Sequence, residues 1–344
     1  KIINTRLFKG GQHMFHTYLV TGASGFLGRA VLVELKKKGV PIRALVMESD
    51  PLAAELPEGV SVFYGDVCDD ASLERFFSGA DNGTCVIHCA GIVSVASRPG
   101  ERIYRVNAGG TNNILRHCER AGVGKLVYVS SVHAIPEKPK GTEITEDAVF
   151  SPDAVRGDYA KSKAIATSLV FEATGRGLNA SVVFPSGIIG PGDVGKGSIT
   201  NMLLSFLAGK LPVAVKGGYD FVDVRDVAAG IVSCTEQGQP GHGYILSGAY
   251  ATIRDILNAA KETLGLKRAV SFLPICFAKL IAPFYEKRSL RKKQALYFTP
   301  YSIAVLDSTC RFDRSAAATA YGYAPRSLRS SIRDTVLWLK SSRQ

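Results

Sequence analysis

One octapeptide constrains this chain more than any other: Thr21-Gly-Ala-Ser-Gly-Phe-Leu-Gly28, set between an apolar run at 15–20 and a helix-prone run at 29–38. Glycines at 22, 25 and 28 allow a tight turn after a strand. They also let a pyrophosphate approach bare backbone, while the following helix offers free N–H groups and its positive end. Gly22, Ser24, Gly25, Phe26, Leu27 and Gly28 are therefore the candidates of a phosphate-binding loop. Taken alone, the same spacing also suits an ordinary βα turn.

The rest of the chain supplies the rhythm such a loop needs. Short β-branched or aromatic runs at 18–20, 42–46, 61–64, 85–88, 125–129 and 180–184 alternate with helix-period segments that include 29–38, 71–77, 111–121 and 159–174. This predicts an α/β fold, a doubly wound parallel sheet with a smaller, mainly C-terminal lobe. Residues 1–13, ending before Met14, read as a tag. Residues 14–184 read as the dinucleotide domain, rejoined by 221–247, and 185–220 with 248–344 as a substrate lobe. Proline-interrupted stretches after 184 predict loops there, and Pro274 and Pro283 predict that 271–293 forms no long helix.

Composition limits the class. Of 344 residues 46% are hydrophobic, enough for a sizeable core, and setting aside Lys1, Arg6 and Lys9 lowers the formal charge from +12 to +9. A basic balance suits a dinucleotide, a nucleic acid or an anionic membrane, and no aromatic-basic module favours nucleic acid. The 7 cysteines are odd in number, scattered and without a CxxC pair, so a reduced, cytoplasmic protein without a metal site is expected. Apolar stretches are too short to span a bilayer.

Chemistry concentrates at Tyr159-Ala-Lys-Ser-Lys163. Four residues apart on a helix, Tyr159 and Lys163 share a face. A phenol that exchanges protons near pH 7 needs its pKa depressed by about three units, which a nearby ammonium can help supply. Ser131, at the end of the strand before, offers a hydroxyl to the same reacting oxygen. Asp66 and Val67 close the third strand, where a carboxylate can accept from an adenine amino group. Cys89, Ala90 and Gly91 close the fourth with side chains small enough to let a cofactor lie against backbone. His88 and His133, at strand ends, read as hydrogen-bonded loop histidines.

In this order, TGASGFLG, the GDV aspartate, RVNAGGTNNIL, YVSS, YAKSK, GPGD and YDFVDVRDVAAG resemble the extended short-chain dehydrogenase/reductase family over nearly all of residues 15–340. The resemblance implies an NAD(P)-binding Rossmann domain, Tyr159 as acid/base, Lys163 on the nicotinamide ribose, Ser131 on the substrate oxygen and Asn107 in a structural or relay role. It also counts Pro185, Gly187 and Ile188 among the cofactor contacts. Dehydratases of the family place Asp-Glu after the catalytic hydroxyl, where this chain has Val132-His133. The stretch 182–191 looks like dihydroflavonol 4-reductases, and the tail 298–328 looks like 3β-hydroxysteroid dehydrogenases. An oxidoreductase acting on a secondary alcohol or ketone of a bulky apolar substrate is the expectation. A nucleotide-sugar or hopanoid-type sugar epimerase and a non-catalytic cofactor-binding regulator are the alternatives.

Cofactor choice is read at the end of the second strand. Met47 stands where NADP-preferring relatives carry Arg, and Glu48 can take the ribose hydroxyls, so NAD is expected, with NADP open if Arg29 or Arg43 reaches a 2′-phosphate. The remaining expected partners are a small-molecule substrate, a second copy of the chain as a homodimer, and a weak peripheral membrane contact through 271–293.

Overall fold

A computed structural model describes residues 15–97, 100–139, 141–292, 298–308 and 310–342; the segment read as a tag lies outside them. In chain order the first half runs β1 Thr17–Thr21, α1 Phe26–Lys36, β2 Ile42–Val46, β3 Val60–Tyr64, α2 Asp70–Phe76, β4 Thr84–His88, α3 Arg102–Tyr104, α4 Thr111–Ala121, β5 Lys125–Val129, α5 Asp158–Gly175 and β6 Ala180–Pro185. The second half runs β7 Gly187–Ile189, α6 Ser198–Leu207, β8 Val213–Val215, β9 Gly218–Asp223, α7 Val224–Gln237, β10 Gly243–Leu246, β11 Ala249–Thr252, α8 Ile253–Leu264, β12 Ser271–Leu273, α9 Ile275–Arg291, α10 Pro300–Leu306, α11 Ser315–Tyr321 and α12 Leu328–Ser341.

Seven strands form one parallel sheet in the order β10-β6-β5-β4-β1-β2-β3. Its central strands are buried along their whole length, because helices cover both faces, and their few polar side chains, Thr84, His88, Lys125 and Ser181, are buried with hydrogen-bond partners. Alternation along a strand divides the core in two. Leu19, Leu126 and Tyr128 pack under α2, α4 and α5, whereas Tyr18, Val20, Val127 and Val129 pack under α1 and α7. The strand order reverses between β1 and β4, and the crevice opened there lies beyond the carboxyl ends of both strands. The glycine loop follows β1, and residues 89–92 follow β4, so both stand at this switch point.

The remaining elements build a second layer over that end. β7 pairs parallel with β9, β11 pairs antiparallel with β9, and β12 pairs with β8. Two expectations are corrected here. Residues 191–220, expected as loop, contain the ten-residue helix α6, whose Thr200, Met202, Leu203 and Phe206 are buried. Residues 275–291 form one helix straight through Pro283. An interior proline costs about 3 kcal/mol of helix propensity, but before it the buried Ala278 and Ala282 pack against Ile303 of α10 and Val215 of β8, and after it the buried Glu286 is tied to Ser97, so both halves are anchored. Among the described residues no helix is long and apolar enough to cross a membrane.

Candidate active site

The glycine loop is shaped by three different demands. Gly22 has φ +63°, and a Cβ there would lie 2.7 Å from the backbone of Ala90, so the turn presses directly on the end of β4. A Cβ on Gly28 would lie 2.1 Å from the Gly22 carbonyl, which fixes α1 tightly against the turn. Gly25 differs: its Cβ would meet only the Gly22 oxygen, at 3.2 Å, and otherwise face open space. The N-cap of α1 is Gly25 itself, with no side-chain cap and no acid in the first turn. The first N–H groups of the helix, at Phe26 and Leu27, thus stand without a protein anion, and the cradle fits a dinucleotide pyrophosphate.

Around the loop, acids meet it from β2. The Ser24 hydroxyl donates to Asp50 at 2.6 Å, and Asp50 also accepts from the Leu52 N–H as it caps the short turn Pro51–Glu55. Glu48 is exposed, and Asp50, two residues later, is a second carboxylate at the end of β2 that sequence reasoning did not single out. Neither arginine considered for a 2′-phosphate is free for one. Arg43 donates to the carbonyls of Ser78 and Phe76 and stacks over Phe63, at the far end of β2, and Arg29 is held by Glu55 and the Gly192 carbonyl.

Asp66 turns back on its own backbone and accepts from the Cys68 N–H at 2.9 Å. Val67 is buried against Gly110, where a Cβ would come within 2.6 Å of it. Beyond β4, Gly91 leaves room for two side chains: its Cβ would stand 3.2 Å from Asn107 Oδ1 and 3.3 Å from Lys163 Nζ. Cys89 and Ala90 complete the strip, and the Ala90 N–H donates to Thr21. Pro185 ends β6, while Gly187 and Ile188 open β7; at 187 a Cβ would press on Asp220, Tyr219 and Phe221.

Asn107 lies in a π-helical stretch, Arg105–Gly110, between α3 and α4. Its amide accepts from the Ile92 N–H at 2.7 Å and donates to the Ile92 carbonyl and to Ser162 Oγ, at 3.0 and 2.9 Å. The extra residue of the π turn aims this side chain inward, and its bonds tie the strip after β4 to α5.

On α5 the side chains of Tyr159 and Lys163 are both buried. Lys163 Nζ donates to the Val129 carbonyl at 2.8 Å and to the Tyr128 hydroxyl at 3.3 Å, and lies over the Tyr128 ring. Burial lowers the Lys163 pKa to about 8. Burial also raises that of Tyr159, against a lowering hydrogen bond with Ser131. The phenol is therefore held protonated, as a proton donor, and the depression expected from Lys163 is not in force in this arrangement. Ser131 caps the short turn Val132–Ala134 and accepts from the His133 N–H, which fixes its hydroxyl beside Tyr159.

The local patterns missed what faces these groups. His133 stacks on Tyr219 at 5.6 Å between ring centroids and meets Tyr159 edge-on at 5.7 Å. Its two ring nitrogens are bonded by Tyr219 at 3.2 Å and Tyr301 at 3.1 Å. Burial lowers its pKa to about 4, so it is neutral. A neutral imidazole has one donor and one acceptor nitrogen, so one phenol donates to it and the other accepts. Tyr301 arrives from α10, 168 residues away, and lies over Gly157, where a Cβ would come within 2.6 Å of its ring. By contrast His88 is structural, as expected: wholly buried, it bonds Thr21 and Thr111. Among the described residues no three side chains converge as metal ligands.

With this geometry in hand, the comparisons are coherent. Residues 18–247 match the model of the NAD dependent epimerase/dehydratase family. Sterol demethylase protein B of Methylococcus capsulatus is 30% identical over 326 residues, which cover 94% of this chain and 98% of that protein. A putative dihydroflavonol 4-reductase of Synechocystis is 30% identical over 95% of this chain and 96% of its own. The crystal structure of gox2253 superposes with a TM-score of 0.81 at 29% identity, covering 95% and 98% of the two chains. A glycine loop whose shape fits a pyrophosphate, a buried Tyr–Lys pair on one helix and a family match over most of the sheet lead to one conclusion: the chain belongs to the NAD-dependent epimerase/dehydratase family, as an NAD-dependent oxidoreductase of the extended short-chain type.

Proposed function

We propose that this enzyme moves a hydride between NAD and a secondary alcohol or ketone carried on a bulky, largely apolar ring system. One observation carries the reading: a phenol held protonated beside a fixed serine hydroxyl, facing a wall made of the rings of Tyr219 and Tyr301 and a neutral His133. Such a wall stacks on flat apolar carbon and offers no charge to a sugar diphosphate. The relatives named for sterol and dihydroflavonol chemistry support the same substrate class.

When bound, the nicotinamide supplies or accepts the hydride; the remaining demands fall on the chain. In the reducing direction Ser131 donates a hydrogen bond to the ketone oxygen and Tyr159 gives it a proton as the carbon gains hydride. In the oxidising direction the Tyr159 oxygen takes the alcohol proton. Lys163 would hold the nicotinamide ribose, and Asn107 keeps the strip at 91–92 in register with α5. Gly22, Ser24, Gly25, Phe26, Leu27 and Gly28 would hold the pyrophosphate. Val67, Cys89, Ala90, Gly91, Pro185, Gly187 and Ile188 would lie along the nucleoside and nicotinamide, with Asp66 at the adenine. The acids Glu48 and Asp50, with no basic side chain free beside them, favour NAD over NADP through attraction to ribose hydroxyls and repulsion of a 2′-phosphate. On this reading residues 14–184 and 221–247 carry the cofactor, and 185–220 with 248–344 close over the substrate. A second copy of the chain and a lipid surface are the macromolecular partners it admits.

A panel of steroid, flavonoid, simple ketone and nucleotide-sugar substrates, followed by NADH absorbance, tests the proposal. Net NADH change with the ring ketones or alcohols is the expected outcome. Conversion of a nucleotide sugar with no net absorbance change would make the enzyme an epimerase instead. NADH binding with no turnover of any compound would favour a regulatory role.

A further inference from the structure

α9 is built the wrong way round for a helix on a water-soluble protein. Its inward face carries small or polar side chains, Ala278, Ala282, Glu286 and Ser289, all buried. Its large apolar side chains point out: Phe277 is 57% exposed, Leu280 77%, Ile281 47% and Phe284 76%. At spacings of three and four these four lie along one stripe, about 10 Å from first to last at 1.5 Å per residue. Soluble helices place such a stripe against the core. Continued past Phe284, the same side of the helix carries Lys287, Arg288, Arg291 and Lys292, all exposed. Lys293, the last basic residue of the sequence cluster, lies outside the described residues.

The mounting of α9 is firm. The Glu286 carboxylate accepts from the N–H and the hydroxyl of Ser97, at 2.7 and 2.8 Å, and so ties the helix to the segment that follows β4. Lys279 pairs with Asp307 at the end of α10, the helix that brings Tyr301 to His133. The outward stripe is therefore held on a fixed platform, packed on the helix that carries Tyr301 to the aromatic wall.

We propose that α9 is a docking surface for an anionic phospholipid bilayer. Phe277, Leu280, Ile281 and Phe284 enter the boundary between headgroups and acyl chains, while Lys287, Arg288, Arg291 and Lys292 hold lipid phosphates. Charge selects the occupant. The only acid of the helix is turned inward to Ser97, so the outward face joins large apolar groups to positive charge alone, the combination an anionic membrane matches. Contact is shallow and reversible, and it places the aromatic wall beside a phase in which apolar ring compounds dissolve. This last consequence rests on the substrate class proposed above; the docking itself does not.

Sedimentation of the full chain with vesicles tests the docking without cofactor or substrate, so its failure is separable from failure of the catalytic reading. Binding is expected with phosphatidylcholine vesicles containing phosphatidylserine at about 0.1 M salt and is expected to weaken near 1 M, where the screening length falls from about 10 to about 3 Å. Each basic side chain near the surface multiplies affinity about fivefold. K287Q/R288Q/R291Q/K292Q should therefore bind at least about tenfold more weakly. F277S/L280S/F284S should lose binding with the charge intact. The side chains that hold α9 in place, Ala278, Lys279, Ala282, Glu286 and Ser289, are kept, and unchanged melting and NADH affinity in both variants verify the fold. Equal recovery in the supernatant with and without phosphatidylserine would overturn the proposal. So would vesicle binding that survives both variants, or light scattering that shows a dimer converted to monomer by F277S/L280S/F284S while vesicles bind nothing.

Discussion

Tyr159→Phe is expected to lower kcat by about 10²- to 10⁴-fold, the usual worth of a positioned general acid or base, while NADH binding changes little. The substitution deletes one oxygen and keeps the ring that meets His133 edge-on at 5.7 Å. Packing on α5 is therefore preserved, and Lys163 keeps its bonds to Val129 and Tyr128. Near pH 7 the phenol is protonated in the folded and the unfolded chain alike, so its raised pKa adds nothing to stability there, and melting should fall only by the loss of the hydrogen bond with Ser131, about 1 kcal/mol. The readouts are steady-state turnover on a ring ketone identified by the substrate panel, fluorescence titration of NADH, and thermal unfolding. Turnover within tenfold of the parent would remove Tyr159 from the mechanism.

At the glycine loop the structure separates two substitutions that the sequence treats alike. Gly25→Val is expected to weaken NADH binding by at least about a hundredfold and leave the fold intact. The new side chain meets only the Gly22 carbonyl within the protein, at 3.2 Å, and otherwise fills the space in front of the α1 N-terminus that a pyrophosphate would occupy. Gly28→Val should damage the protein itself, since its Cβ would stand 2.1 Å from the Gly22 oxygen and under 3 Å from the Ala23 backbone. Calorimetric titration with thermal unfolding distinguishes them. Unchanged affinity in a folded Gly25→Val protein would mean that phosphate does not lie on this loop.

Strand and helix periods carried most of the large sheet. The runs at 42–46 and 125–129 are strands with those bounds, and 111–121 is a helix with its own, because parallel strands buried on both faces and amphipathic helices leave strong local signals. Local rules failed where tertiary contact overrode them. Pro283 marked a break by propensity, but Ala278 and Ala282 before it pack α9 on Ile303 of α10, Glu286 after it is tied to Ser97, and the helix continues. Asp50 was not singled out from the sequence, because only the turn at Pro51–Glu55 brings its carboxylate to Ser24. The grouping of His133, Tyr219 and Tyr301 had no sequence signal at all, because its members come from three elements of two layers and meet only after the lobe closes on the sheet.

The most direct test of hydride transfer follows the hydrogen itself. NADH deuterated at C4 of the nicotinamide, incubated with the enzyme and a bulky ring ketone, should give a secondary alcohol with one deuterium on the carbinol carbon and none elsewhere. Because Tyr159 supplies only the hydroxyl proton, that proton should exchange with solvent while the carbon-bound label does not. Alcohol formed without deuterium on that carbon, or label retained in the cofactor while a nucleotide sugar is epimerised, would contradict the account.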